Sequence, residues 1–235
     1  MKPDKKAAEM SVTELARYID HSVLKPEFTE ADIRELIRDG VRYKCRTVCV
    51  NPSSAEIAKE LCAGTETGVC VVCDFPFGLS TTKSKVQQAK CIISDGFVPE
   101  LDVVSNYGWI RSGQFEKVTE DIKAVADVCH EYNVQLKVIF ETDALTMSEV
   151  RKATECAIAA GADFAKTSTG FYTGGPSQGA TVQVIREMLD VAAGRIKIKG
   201  SGSIRTREHF LELIDLGIDR MGIGYKSTPV VLGLE

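Results

Sequence analysis

The chain has little of what marks a secreted, membrane-bound or nucleic-acid-binding protein. No apolar run approaches the roughly 20 residues that span a bilayer, and the opening MKPDKKAAEM has no apolar signal-peptide core. A cytoplasmic protein without a membrane partner is therefore expected. Basic excess is missing too: 29 Lys and Arg stand against 33 Asp and Glu, a formal charge of −4, so a broad nucleic-acid surface is excluded. Histidine occurs only at positions 21, 130 and 209, too scattered for a metal triad, and no metal is expected. No G-x-G-x-x-G or G-x-x-x-x-G-K-[ST] follows the first apolar run, which argues against a nucleotide-binding open sheet. No Ser-His-Asp set or paired-carboxylate hydrolase signature stands out.

Cysteine is present but not patterned. Cys45, Cys49, Cys62, Cys70, Cys73, Cys91, Cys129 and Cys156 are scattered through apolar stretches, as reduced core thiols would be. Cys70 and Cys73 form a C-x-x-C, but GVCVVCDF reads as a buried strand, where residues three apart point to opposite faces.

What is abundant is alternation. Short β-branched runs (18–23, 47–50, 69–75, 98–104, 134–140, 162–167, 196–200 and 220–224) alternate with segments of helical spacing (29–43, 53–63, 82–94, 115–132, 148–160, 181–193 and 206–216). Thr29 ahead of Asp32 and Thr206 ahead of Glu208 read as helix starts, and Gly161 and Gly217 as C-caps. Eight strands with intervening helices in 235 residues predict one α/β domain, a single-domain (β/α)8 TIM barrel over residues 11–235 with residues 1–10 as a loose tail.

In such barrels chemistry sits where strands end. Three consecutive strands carry a lysine there: Lys137 in LKVIFET, Lys166 in DFAKTSTG and Lys199 in IKIKGSGS. One lysine would be unremarkable on a solvated face; three at matching heights predict a cationic cluster that drives one amine toward its neutral, nucleophilic form. A neutral lysine attacks a carbonyl, and the resulting imine draws electrons from the neighbouring C–C bond. Asp102 in PELDVVSN stands at a strand end to move protons, or else caps its loop. Lys197, two residues before Lys199, is expected to reach solvent at the strand's lower end and has no assigned role.

The segments YIDHSVLKP, TVCVNP, DFPFG, ELDVV, LKVIFET, GADFAKTSTGF, KGSGSIRT and RMGIG occur in this order from about residue 18 to 224, and on them the chain resembles the deoxyribose-phosphate aldolase family. The resemblance implies cofactor-free class I cleavage of 2-deoxyribose 5-phosphate to glyceraldehyde 3-phosphate and acetaldehyde. It places the Schiff-base lysine at Lys166, the lysine that eases its deprotonation at Lys199 and the proton-relay aspartate at Asp102. Lys137 becomes a supporting charge, Asp20 a neighbour of the substrate hydroxyls and Cys49 a lining residue, although a packed strand cysteine is an equal reading of Cys49.

The family's phosphate amides fall at Thr169, Gly170, Gly174 and Gly175, at Ser201, Gly202 and Ser203, and at Gly222 and Gly224. This chain departs from the pattern in three places. Pro176-Ser177-Gln178 lengthens the first loop, Ser203 replaces a glycine, and Gly224 and Tyr225 stand where small hydroxyl side chains are expected, with Lys226 next. Either Tyr225 fills the pocket or Lys226 supplies a compensating charge. A Schiff-base lyase for a different or unphosphorylated aldehyde or ketose, and a non-catalytic sugar-phosphate binding barrel, remain the alternatives. The expected partners are small sugar phosphates or aldehydes and, as symmetric dimers are common, a second copy of the chain.

Overall fold

The computed structural model describes residues 3–235. Eight parallel strands, β1 (Ile19–Val23), β2 (Thr47–Val50), β3 (Gly68–Cys73), β4 (Glu100–Val104), β5 (Gln135–Ile139), β6 (Phe164–Lys166), β7 (Lys197–Ser201) and β8 (Arg220–Gly224), pair in sequence order. β8 closes on β1, with Asp20 opposite Gly222, to give the expected barrel. Around it lie α1 (Val12–Ala16), α2 (Glu30–Arg42), α3 (Ala55–Cys62), α4 (Thr82–Ile93), α5 (Tyr107–Arg111), α6 (Phe115–Glu131), α7 (Met147–Ala159), α8 (Val182–Ala192), α9 (Arg207–Leu216) and α10 (Ser227–Leu232).

Local chemistry fixes the helix ends. Ser11, Thr29 and Thr146 close capping boxes with Glu14, Asp32 and Glu149, satisfying amides that a helix start leaves unpaired. Gly217 ends α9 at φ +102°, a conformation that costs a glycine nothing.

Strand alternation divides the molecule into two interiors. Outward residues such as Val48, Val103, Leu136, Val138, Ala165 and Ile198 pack against the helices as the main apolar core. Inward residues are mostly charged or sulfur-bearing, with one small apolar cluster of Leu24, Cys49, Cys70 and Val72 beneath Phe75 and Phe171. Cys70 and Cys73 fall on opposite sides of β3, as their spacing requires.

The N-terminal segment differs from the expected loose tail where it is described. Ala7–Glu9 forms a 3-10 turn, Ala7 is buried, and its N–H donates to Asp215 Oδ1 at 2.9 Å, which anchors the segment to α9. Met1 and Lys2 lie outside the described residues. Among the described residues no helix is long and apolar enough to cross a membrane.

Candidate active site

The inward faces of β1, β4, β5, β6, β7 and β8 meet in one buried ionic network. Lys166 and Lys199 are in register on β6 and β7, and both ammonium groups lie 2.7 Å from Asp102 Oδ2. The other carboxylate oxygen, Oδ1, accepts from Lys137 Nζ at 2.9 Å and from the Cys70 thiol at 3.1 Å. Lys199 also contacts Asp20 Oδ2 at 2.5 Å, and Thr47 Oγ1 donates to Asp20 Oδ1 at 2.8 Å. Asp20, Asp102, Lys137, Lys166 and Lys199, all read from the sequence, therefore come together.

Two members were not read from the sequence. Glu100, two residues before Asp102 and so on the same face of β4, contacts Lys137 Nζ at 2.7 Å. Arg220, the first residue of β8, donates Nη1 to Asp20 Oδ1 at 2.5 Å and to Glu100 Oε2 at 2.9 Å. The period of two was the available signal for both. The Phe164 ring lies below, with Lys137 and Arg220 at 5.8 and 5.5 Å from its centroid. The exposed Lys197 reaches the same ring at 5.1 Å, apart from the network as expected.

The electrostatics correct one expectation. The lysines do not crowd one another as bare cations, because carboxylates stand between them. Burial works to lower Lys199 and Lys137, but Asp102, with Asp20 or Glu100, outweighs it and both are held protonated. Burial likewise works to raise Asp102, and the three lysines override it, holding the carboxyl well below its usual range. Four cations (Lys137, Lys166, Lys199, Arg220) thus face three carboxylates (Asp20, Glu100, Asp102), a surplus of one positive charge.

Above this network opens a cavity of about 270 Å³. Of the four cations only Lys166 lines it. Thr169, Gly170, Ser201, Gly202, Ser203, Gly222 and Gly224 lie in its wall. Space at Gly222 is tight: a Cβ there would sit 3.0 Å from Ser201 Cβ, closer than ordinary packing, and 3.5 Å from Lys199 Cε. Burial works to raise Glu141, which adopts φ +59° at the end of β5, and it rises on balance although Thr169 donates to it through both its N–H and its hydroxyl. Glu141 thereby ties down the loop after Lys166, another role invisible in the sequence.

Three predicted phosphate contacts lie elsewhere, and Asp20, Cys49 and Lys137 do not line the cavity either. Gly174 and Gly175 do not line the cavity, because Asp143 pulls the longer loop aside by accepting from Ser177 Oγ at 2.8 Å and the Gln178 and Gly179 amides at 2.8 and 3.0 Å. Lys226 does not line it either; its ammonium lies 5.7 Å from the ring centroid of Tyr225. The cations at the cavity are instead Lys25, set 5.4 Å over the Phe171 ring, and Arg205. Tyr225 forms wall rather than plug, its ring edge-on to Phe28 at 5.3 Å. Cys49 is fully buried behind the wall, where the neighbouring Cys70 thiol lowers its pKa.

Sulfur and carboxylate donors do converge: Cys49, Cys70 and Asp102 lie within 4.8 Å of one another, as do Asp20, Cys70 and Glu100. Their carboxylates already carry lysine and arginine partners, so both sets are poorly suited to a cation.

Residues 15–226 match the DeoC/LacD family aldolase profile. The chain is 42% identical over 213 residues to a deoxyribose-phosphate aldolase of Desulfitobacterium hafniense, covering 91% of this chain and 95% of that one. It is 40% identical over 219 residues to deoxyribose-phosphate aldolase 1 of Staphylococcus aureus, covering 93% and 96%. Among solved structures it is similar to a putative deoxyribose-phosphate aldolase from Coccidioides immitis, with a TM-score of 0.87 and 33% identity over 100% of this chain and 91% of that one. The chain belongs to the DeoC/LacD family of aldolases.

Proposed function

We propose that this protein is a class I aldolase that reversibly cleaves 2-deoxy-D-ribose 5-phosphate to D-glyceraldehyde 3-phosphate and acetaldehyde, with Lys166 as the Schiff-base residue. One observation carries the assignment: among the four cations of the network, Lys166 alone reaches the cavity. Loss of one proton from the network leaves three cations against three carboxylates. Because Lys199 remains protonated and shares Asp102 Oδ2, that carboxylate keeps a partner when Lys166 gives its proton up.

The neutral Lys166 Nζ attacks C1 of the open-chain sugar, and loss of water gives a protonated imine. Removal of the C3 hydroxyl proton by a water held at Asp102 then breaks the C2–C3 bond. Electrons flow into the imine, glyceraldehyde 3-phosphate leaves, and the remaining enamine is reprotonated at carbon and hydrolysed to acetaldehyde and Lys166. Asp102, pinned by three ammonium groups, is a weak base and serves mainly to hold water and lysine in place. The phosphate meets Lys25, Arg205 and the backbone amides of Gly170, Gly202 and Ser203. A cytoplasmic homodimer is part of the same proposal.

The Tyr225 wall favours one second reading, a lyase for an unphosphorylated or differently shaped aldehyde. Incubation with deoxyribose 5-phosphate and borohydride, followed by peptide mass analysis, tests the chemistry. A reduced adduct on Lys166 is expected. An adduct only on Lys199 or Lys137 would remove the assignment, and saturable binding without any adduct would point to a non-catalytic barrel.

A further inference from the structure

Two arms run from Asp102 to the lower end of the barrel. One passes through Lys137 to Glu100, with contacts of 2.9 and 2.7 Å. The other passes through Lys199 and Asp20 to Arg220, with contacts of 2.7, 2.5 and 2.5 Å. Arg220 then joins Glu100 at 2.9 Å and closes the circuit. Neither end residue lines the substrate cavity, and Glu100 instead borders a separate opening at the opposite end of the barrel.

Resting on the assignment of Lys166 above, we propose that Glu100 and Arg220 are positioning residues that set, with opposite signs and without touching substrate, the pH at which Lys166 becomes nucleophilic. Buried charges act on one another with little screening by water. The interior that Lys166 shares holds Asp20 on β1, Cys49 on β2, Cys70 on β3, Asp102 and Glu100 on β4, Lys137 and Glu141 at β5, Lys199 on β7 and Arg220 on β8, and Lys25 and Arg205 line its cavity. Burial raises the Glu141 carboxyl and the Cys70 thiol; both face the network, but neither is one of its ion-paired carboxylates. Arg46, 3.9 Å from Glu100, is half-exposed and screened by solvent.

Removing the negative charge of Glu100 enlarges the surplus and makes loss of the Lys166 proton easier. Removing the positive charge of Arg220 cancels the surplus and makes it harder. A buried unit charge on the order of 10 Å away, at an effective dielectric near 20, moves such a titration by about one pH unit.

The test follows the rate of borohydride-trapped adduct formation against pH. For Glu100→Gln the acid limb is expected to move down by about one unit, for Arg220→Gln up by a similar amount, and Arg220→Lys should return it to the wild-type position. Folded variants whose limbs stay still, or move in the same direction, overturn the proposal. If wild-type protein gives no Lys166 adduct, the Schiff-base assignment itself fails, which is a different result. Should Arg220→Gln not fold, Glu100→Gln against the charge-retaining Glu100→Asp carries the same sign test.

Discussion

Two buried lysines, one on each side of the strand wall, show what burial alone means. Lys85, on α4 in the helix layer, is fully buried and donates to Asp121 Oδ2 at 2.7 Å and to the Val104 carbonyl at 3.1 Å, with Asp74 3.8 Å away. It lines no substrate cavity. Lys166, inside the barrel, is almost as deeply buried but opens onto the 270 Å³ pocket and belongs to a network with one cation too many. A lysine that is buried, paired and closed off holds structure together; one that is buried, in surplus and open to a cavity is placed for chemistry.

The largest effects are expected at the two lysines themselves. Lys166→Met should lower kcat/KM by at least about 10⁴-fold and leave the fold intact, since three cations then match three carboxylates. Lys85→Met should do the reverse, costing about 3–5 kcal/mol in denaturant melts by stranding Asp121, with kcat within about twofold while the protein is folded. A catalytic defect without a stability defect in Lys85→Met would erase the distinction.

His21 sharpens the contrast one residue along β1 from Asp20. It faces the helices, its Nε2–H donating to the Leu36 carbonyl at 3.0 Å and its Nδ1 accepting from Thr228 Oγ1 at 2.8 Å. Burial pushes its pKa down from 6.5 to about 4. The unfolded chain therefore binds a proton that the folded one refuses, and stability should fall as pH drops from about 6.5 to about 4, by about 3 kcal/mol in total. Denaturation midpoints across that window check this, and His21→Gln should flatten the slope. An unchanged slope would assign the acid sensitivity elsewhere.

At the pocket rim smaller effects are expected. Deoxyribose 5-phosphate should exceed deoxyribose in kcat/KM by at least about tenfold, equivalent to ~1.4 kcal/mol. Arg205→Ala or Lys25→Ala should shrink that margin, while Lys226→Ala should not, because Lys226 lies outside the cavity. Equal use of both sugars would favour the unphosphorylated-substrate reading. Smallest of all is Lys197→Ala, exposed and off the network, which should change kcat/KM by less than about twofold.

The strands and helices were legible because β-branched runs and helical spacing alternate cleanly, and element ends shift by only a few residues. β6 shows the largest trimming, to Phe164–Lys166, since Asp163 turns its carboxylate to cap the Leu136 N–H at 2.8 Å. Lys137, Lys166, Lys199, Asp20 and Asp102 were legible as charges within apolar strands. Lys85 was not, because a lysine in TKSKVQQAK looks like one on any solvated helix face. Nor was the retreat of Gly174 and Gly175, which depends on a carboxylate more than 30 residues away in sequence at Asp143. The lysines by themselves gave an incomplete electrostatic picture, because local sequence does not count the acids that face them.

The ring closure at Arg220 bears on how the chain reaches this fold. Its two carboxylate partners are 200 and 120 residues earlier, so the contacts form only when β8 docks between β7 and β1. A seven-stranded intermediate would hold Asp20 and Glu100 without the guanidinium that bridges them and would keep the interior open to water. Such separations raise the entropic cost of closure and delay its reward. The charged lumen therefore favours a late, cooperative sealing step, in which the electrostatic environment of the reaction and the topology of the barrel are completed together.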